Sequence, residues 1–380
     1  MEIIANIAGK GLARLNVQGK QIHSVLIKGP SDPGAPFVSL GFADVQINGF
    51  AGTDFSDEHL DLPKALSVLP AVWKTGVTAI CATLITNSIE QLKRNFRVLE
   101  AARERDARFA ATVPAYHLEG PYLSPGPSHG AHDPKLMHPP DWEEFNTLQE
   151  AAGGRIAIVT LAPELPGACD FIRNATAAGV VVALGHTDGS PEHIHAAVEA
   201  GARLSTHLGN GCPQMINRHQ NPLWAQLAND RLSASLICDG FHLPPDLVRV
   251  AFRMKGIERS ILVTDAVHVA GLPPGRYSLV GLDIELLPSG QVVRMDRASM
   301  AGSALSMNRA VTVFQKFTGT SLLEALEAAT VNPRRLLRGT GLSTSLEVGQ
   351  PADLVVFRPE PEGLRIETVL LRGEQVYASN

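Results

Sequence analysis

Four residues that can bind a metal ion or transfer a proton each follow a short apolar run. The residues are Glu119, His186, His207 and Asp265, and the runs before them are 113–118, 180–184, 202–206 and 261–264. One glutamate and two histidines suit a catalytic Zn²⁺ site that keeps an open position, and the separate aspartate can then handle the proton of a water molecule. Together the four residues predict a hydrolytic metal site.

Such runs are expected where buried parallel strands end. Strands covered on both faces are continuously apolar, and a parallel barrel builds its active site at their C-terminal ends. The candidate strands are Val38–Ala43, Val77–Thr83, Val113–Leu118, Ile156–Leu161, Val180–Leu184, Ala202–Thr206, Leu232–Cys238 and Ser260–Thr264. Helical patterns separate most of them, such as Ile89–Glu104, Gly167–Ala178, Pro191–Ala200 and Pro245–Met254. The alternation predicts an α/β fold, a (β/α)8 TIM-like barrel.

Both ends of the chain differ from its middle. Short β-like runs broken by Gly and Pro occupy the N-terminal part, and Ala352–Phe357 and Ile366–Val376 return to that character. We expect residues 1–40 and 344–380 to form one small β-sandwich domain and residues 41–343 to form the barrel. The segment Gly275–Met295 is predicted to be a hairpin that leaves the barrel after its last strand.

Composition narrows the class of protein. The chain has 380 residues, 44% of them hydrophobic, and a net charge of -5 with no basic stripe, which argues against nucleic acid as a partner. No apolar stretch approaches the length that spans a bilayer, and the N-terminus lacks a secretory pattern. The four cysteines are scattered without a CxxC motif, which favours free thiols. We expect a cytoplasmic enzyme without a membrane partner.

A series of motifs makes a family resemblance specific. In chain order they are HLEGP (117–121), GAHDP (130–134), LGHT (184–187), THLGN (206–210), DGFH (239–242), LVTDA (262–266), AGSAL (301–305) and GQPADL (349–354). Their order resembles that of N-acetylglucosamine-6-phosphate deacetylases of the amidohydrolase superfamily. The resemblance implies a barrel with a small β-sandwich, assembled as a homodimer, that removes acetate from an N-acetylated amino-sugar phosphate.

The resemblance also implies roles for individual residues. Glu119, His186 and His207 correspond to the metal ligands, and Asp265 to the catalytic acid/base that takes a proton from water and returns it to the departing amine. His132 resembles the residue that helps to polarise the substrate carbonyl. The other expected contacts of the sugar phosphate are Gln46, Ala131, Asn210, Gly211, Arg218, Asp239, His242, Met300, Ala301 and Gly302.

The first barrel strand bears on the number of metal ions. Many members of the superfamily place two histidines there as HxH, whereas this chain has Gln46 and Asn48. An amide replaces an imidazole ligand poorly, so we expect one divalent ion per subunit. Zn²⁺ is the preferred ion, while Fe²⁺, Co²⁺ and Mn²⁺ also suit a Glu/His/His site.

The expected phosphate contact does not single out one substrate. Arg218 lies where the family has an arginine that reaches the phosphate from the neighbouring subunit, and its planar guanidinium suits such oxygens. The loop 211–215 before it differs from the form expected in the family. Besides N-acetylglucosamine-6-phosphate, the alternatives are N-acetylgalactosamine-6-phosphate or another N-acyl amine, and a non-catalytic sugar-phosphate-binding barrel.

Overall fold

A parallel barrel forms the centre of the molecule in the computed structural model, which describes residues 1–279, 281–296, 299–337 and 339–379. Its eight strands within these residues follow the chain in order around the sheet. They are Phe42–Ile47, Val77–Ile85, Ala115–Glu119, Ile156–Leu161, Val181–Leu184, Leu204–Ser205, Ser233–Ile237 and Ser260–Val263. Beyond the last strand, the Asp265 N–H donates to the Gln46 carbonyl at 2.9 Å, and the Asn48 N–H donates to the Ala266 carbonyl at 2.8 Å. The first and last strands thus meet, and the predicted barrel is confirmed.

Helices surround the barrel and bury one face against its strands. They are Leu62–Ser67, Leu69–Trp73, Ile89–Arg105, Ala107–Thr112, Trp142–Ala151, Ala168–Ala177, Pro191–Ala200, Pro222–Ala228, Pro245–Lys255, Met307–Thr318, Leu322–Ala329 and Val331–Leu336, with short 3₁₀ turns at Pro134–Leu136 and Ile257–Arg259. Several begin at a side-chain cap, as where Asp141 accepts from the Glu144 N–H at 2.9 Å. None of the described helices is long and apolar enough to cross a membrane.

The two ends of the chain share a second sheet, of seven strands in the described residues. Its strands, in spatial order, are Glu374–Ala378, Gly363–Leu371, Leu354–Glu360, Phe37–Leu40, Glu2–Ile7, Gly11–Gln18 and Gln21–Gly29. Their apolar side chains, including Leu15, Val38 and Leu354, meet in a core separate from that of the barrel. The predicted small β-sandwich built from both chain ends is therefore confirmed as part of the fold.

The predicted first barrel strand is wrong in its position. Val38–Ala43 was expected in the barrel, but Phe37–Leu40 pairs with the C-terminal strand Leu354–Glu360 in the small sheet. The barrel strand begins after Gly41, at Phe42. Both segments are largely apolar and largely buried, so composition could not reveal where the chain passes from one sheet to the other.

Smaller differences concern strand ends and the excursion after the last strand. The third strand starts at Ala115 rather than Val113, and the sixth contains only Leu204 and Ser205. The excursion is a three-stranded antiparallel sheet of Gly275–Leu279, Leu282–Leu286 and Val292–Arg294, with residue 280 of the predicted hairpin outside the described residues. A further ribbon pairs Gly49–Phe50 with Thr53–Asp54.

Candidate active site

The predicted site residues meet at the C-terminal ends of the barrel strands. Glu119 is the last residue of the third strand, and His186, His207 and Asp265 each stand two residues beyond the fifth, sixth and eighth. His186, His207 and Asp265 have φ angles of 49°, 31° and 49°. Residues other than glycine rarely adopt this left-handed backbone region, and strained backbone of this kind is concentrated at functional sites.

Three ligand atoms converge on one point. The Nε2 atom of His207 lies 3.0 Å from Glu119 Oε1 and 3.1 Å from His186 Nε2, and His186 Nε2 lies 3.4 Å from the same carboxylate oxygen. Within the described residues, these side chains are the group of buried donors found close enough to hold a metal ion. All of them are nearly inaccessible to solvent.

The chemistry of these donors fits a cation. Two imidazole lone pairs and a carboxylate at such distances repel one another unless a cation or a proton lies among them. His186 Nδ1 lies 2.9 Å from the Ser128 carbonyl, which can only accept, so Nδ1 donates and the lone pair of His186 is on Nε2. Burial favours a neutral Glu119, yet the interactions of its carboxylate with the adjacent imidazoles of His186 and His207 outweigh burial and hold the pKa of Glu119 well below its usual range. A divalent metal is the ligand that this cluster suits.

Asp265 is held beside the cluster by two amides. Asn48 Nδ2 donates to Asp265 Oδ1 at 2.7 Å, and Gln46 Nε2 lies 3.4 Å from that atom while it donates to Glu119 Oε1 at 2.9 Å. Burial, together with the negative charge of Glu119, raises the pKa of Asp265 to about 6. Of the two amides at the HxH positions, Gln46 therefore connects Asp265 with Glu119, and Asn48 holds Asp265.

Two further histidines flank the cluster. His132 has its Nδ1 2.8 Å from Thr86 Oγ1, and its ring packs edge-on against that of His186 with centroids 4.5 Å apart. Burial lowers the pKa of His132 to about 3, so its ring is neutral. His242 donates from Nδ1 to Asp239 Oδ2 at 2.6 Å, which leaves its Nε2 as the atom available to a ligand.

A cavity of about 400 Å³ opens above these residues. Its volume falls in the range typical of small-molecule sites. Glu119, His186, His207 and Asp265 form part of its lining. Of the residues predicted to contact substrate, those that line it are Ala131, His132, Asn210, Gly211, His242, Met300 and Gly302.

Comparison with known proteins places the chain in a family. The model of the Amidohydrolase family matches residues 37–376. The chain belongs to the amidohydrolase family. The family recognised from the sequence motifs is thereby confirmed, and the chain is a hydrolase of a family whose members are metal-dependent enzymes.

The relatives within this family are sugar-phosphate deacetylases. The N-acetylglucosamine-6-phosphate deacetylase of Bacillus subtilis (strain 168) is 32% identical over 364 residues, which are 95% of this chain and 89% of the relative. The N-acetylgalactosamine-6-phosphate deacetylase of Escherichia coli O157:H7 is 31% identical over 340 residues, 90% of this chain and 88% of the relative. A solved structure of mutant N-acetyl-D-glucosamine-6-phosphate deacetylase from Mycobacterium smegmatis, in complex with N-acetyl-D-glucosamine-6-phosphate, has a TM-score of 0.89, 31% identity and 99% coverage of both chains.

Four of the residues predicted to contact substrate do not line the cavity above the metal-ligand cluster. Gln46 lies beneath it and joins Glu119 to Asp265. Asp239 orients His242, and Ala301 is buried against the excursion sheet. Arg218 is exposed on the loop after the sixth strand. Among the described lining residues of this cavity there is no Lys or Arg.

Several cavity features were missed from the sequence. Ser128 and Thr86 orient His186 and His132 from loops far away in the chain, and no local pattern marks them. Gly211 was expected to contact substrate through its backbone, but its lack of a side chain has its own reason. A Cβ there would lie 2.9 Å from His186 Nδ1 and 3.1 Å from His207 Cε1, so only glycine lets this loop pass so close to the ligands. Leu279 of the excursion sheet also lines the cavity.

Proposed function

We propose that the protein is a metal-dependent deacetylase that hydrolyses the N-acetyl amide of N-acetylglucosamine-6-phosphate, giving glucosamine-6-phosphate and acetate. The observation that carries the proposal is the convergence of Glu119, His186 and His207 beside Asp265 on the floor of one cavity. The deacetylase relatives support the choice of substrate. We assign the hydrolase to residues 41–343 and the small β domain to 1–40 and 344–380.

One divalent ion per subunit would be held by Glu119, His186 and His207, with Zn²⁺ as the preferred ion. When bound, such an ion supplies a Lewis acid that polarises the amide and acidifies water. Gln46 and Asn48 support the assignment of a single ion, because both amides already bond to carboxylates of the site and neither offers an imidazole. Availability in the cell decides between Zn²⁺, Fe²⁺, Co²⁺ and Mn²⁺.

Asp265 is the proposed acid/base. Its carboxylate accepts a proton from the attacking water and returns it to the amide nitrogen, so that the leaving group departs as an amine rather than an anion. Asn48 donates to one carboxylate oxygen at 2.7 Å and leaves the other for this exchange. The neutral His132 can stabilise the carbonyl oxygen as negative charge develops on it.

The sugar would occupy the rest of the cavity. His242, whose orientation is set by Asp239, is a proposed hydrogen-bonding partner of the sugar, along with Ala131, Asn210, Gly211, Met300 and Gly302. We propose that the phosphate is bound by Arg218 of a second subunit in a homodimer. The exposure of Arg218 on the loop after the sixth strand supports this arrangement.

Acetate release from a substrate panel tests the proposal. The panel contains N-acetylglucosamine-6-phosphate, N-acetylgalactosamine-6-phosphate and both unphosphorylated sugars, with Zn²⁺ supplied. We expect the highest kcat/KM with N-acetylglucosamine-6-phosphate and loss of activity after chelation. No acetate release from any of the four substrates by the Zn²⁺-loaded protein would refute the deacetylase function.

N-acetylgalactosamine-6-phosphate is the second candidate substrate. The Escherichia coli relative that is named for this sugar is 31% identical, nearly the same as the relatives named for the glucosamine epimer. A higher kcat/KM for the galactosamine epimer in the same panel would make it the substrate without changing the proposed chemistry.

A further inference from the structure

A chain of buried hydrogen bonds runs beneath the proposed metal site. His117 Nδ1 lies 3.0 Å from the Val45 carbonyl and His117 Nε2 lies 2.7 Å from Thr160 Oγ1, which in turn lies 2.7 Å from Thr206 Oγ1. His117, Thr160 and Thr206 are at most 2% exposed. Bulk water therefore cannot replace any partner that one of these side chains loses.

The donor in each of these hydrogen bonds can be assigned by starting from the Val45 carbonyl, which is one end of the hydrogen-bonded series. The Val45 carbonyl can only accept, so His117 Nδ1 carries the proton and donates it. A neutral imidazole with its proton on Nδ1 accepts at Nε2, so the Thr160 hydroxyl is the donor in the 2.7 Å contact. The Thr160 oxygen then accepts from the Thr206 hydroxyl. Thr160 is thus the residue that both donates and accepts.

The hydrogen-bonded series crosses the barrel interior: the step from His117 to Thr160 joins neighbouring strands, whereas the step from Thr160 to Thr206 passes over one strand. Thr160 lies near the C-terminal end of the fourth strand and Thr206 directly follows the sixth. The fifth strand lies between them. Their side chains meet across Gly185, where an added Cβ would lie 2.8 Å from Thr206 Cβ and 2.9 Å from Thr160 Cγ2. The glycine before His186 therefore has a role in letting the two threonines pair.

Three of the four members of this hydrogen-bonded series lie within two residues of a site residue in the sequence. Thr206 precedes His207, Val45 precedes Gln46, and His117 lies two residues before Glu119, on the same face of the third strand. We propose that the hydrogen-bonded chain Thr206–Thr160–His117–Val45 is a positioning device that sets the spacing of Glu119 and His207 and so the affinity for the divalent ion. The inference rests on the proposed function, because it takes these residues to be metal ligands.

Equilibrium dialysis with Zn²⁺ on the full-length protein tests the device. Thr160→Val keeps the shape of the side chain and removes the hydroxyl, which leaves His117 Nε2 and the Thr206 hydroxyl without partners. We expect its Kd for Zn²⁺ to rise by about 10- to 100-fold, as for other residues that orient metal ligands. Thr160→Ser retains the hydroxyl and should return the affinity to within about threefold of the wild type.

Thr112→Val is the matched control. Thr112 is also fully buried and accepts from Trp73 Nε1 at 3.1 Å, but it lies on the helix Ala107–Thr112 outside the barrel. We expect Thr112→Val to bind Zn²⁺ like the wild type, while the metal-free forms of both valine variants lose similar amounts of Tm. A general loss of stability would lower Tm without changing the Kd for Zn²⁺, so the two readouts separate positioning from packing.

The outcomes distinguish this inference from the proposed function. A wild type that binds no Zn²⁺ would overturn both. Wild-type affinity in Thr160→Val, or an equal loss in Thr160→Ser, would overturn the positioning role alone. Should Thr160→Val not fold, Thr206→Val provides the test. It removes one donor and leaves the bond from Thr160 to His117, so we expect a smaller rise in Kd, and no rise would overturn the inference.

Discussion

Replacing Asp265 with asparagine separates its proposed proton transfer from its place in the structure. In Asp265→Asn the side-chain oxygen can still accept from Asn48 Nδ2, a contact of 2.7 Å in the structure. The metal ligands Glu119, His186 and His207 are untouched. The variant therefore loses the proton acceptor and keeps the shape of the site, so we expect the metal content and KM to stay close to those of the wild type.

The expected fall in kcat follows from the proposed acid/base role of Asp265. Positioned acid/base groups contribute about 10²- to 10⁴-fold to a rate, which corresponds to about 3–5 kcal/mol of activation free energy. Asp265 is proposed to act in both attack and departure, so we expect kcat to fall by at least about 100-fold. The loss should appear in kcat and kcat/KM equally, because the interaction is needed only in the transition state.

The assay is acetate release at saturating N-acetylglucosamine-6-phosphate, with metal content measured on the same samples. Asp353→Asn is the matched control, because Asp353 is a buried carboxylate directly before the strand Leu354–Glu360 of the small sheet and accepts from the Arg372 N–H. Its kcat should equal that of the wild type. If Asp265→Asn keeps more than about a tenth of wild-type kcat, the acid/base role belongs elsewhere, with His242 the first candidate.

Three further predictions concern the metal and the phosphate. The purified protein should hold one divalent ion per subunit by elemental analysis, and His186→Ala should lose it without unfolding; two tightly held ions would contradict the role given to Gln46 and Asn48. Zn²⁺ affinity should fall about tenfold per pH unit in acid, because the hydrogen bond to Glu119 outweighs burial and raises the pKa of His207, whose proton must leave before the ion binds. A Kd for Zn²⁺ that is unchanged between pH 5 and 8 would contradict the expectation that His207 loses a proton when the ion binds. Arg218→Ala should cost about 2–4 kcal/mol in kcat/KM with phosphorylated substrate and almost nothing with the unphosphorylated sugar. Equal losses with both substrates would remove the phosphate role.

Much of the site could be predicted because its residues stand at the ends of strongly apolar strands. The runs before Glu119, His186, His207 and Asp265 predicted both the barrel and the edge of it where they meet. The structure brings the first three within hydrogen-bonding distance of one another and places Asp265 beside them. The roles of these side chains stay predictions until the variants are measured.

Other features could not be found from local sequence. Phe37–Leu40 and Phe42–Ile47 are both largely buried and largely apolar, and only their pairing partners assign one to the small sheet and the other to the barrel. The carbonyl of Ser128, which orients His186, belongs to a residue 58 positions away. Such contacts depend on how the loops fold over the barrel, for which residue type gives no signal.

By itself, the sequence determined the chemistry available to this protein and the class of scaffold that carries it. Residue types decide which atoms can bind a cation or move a proton, and strand periodicity is local. Only the tertiary structure decided that Gln46 and Asn48 bond to Glu119 and Asp265, that Asp239 serves His242, and that the described cavity lining lacks a cationic side chain. These relations join residues from distant strands and loops, and their distances exist only once the barrel has closed.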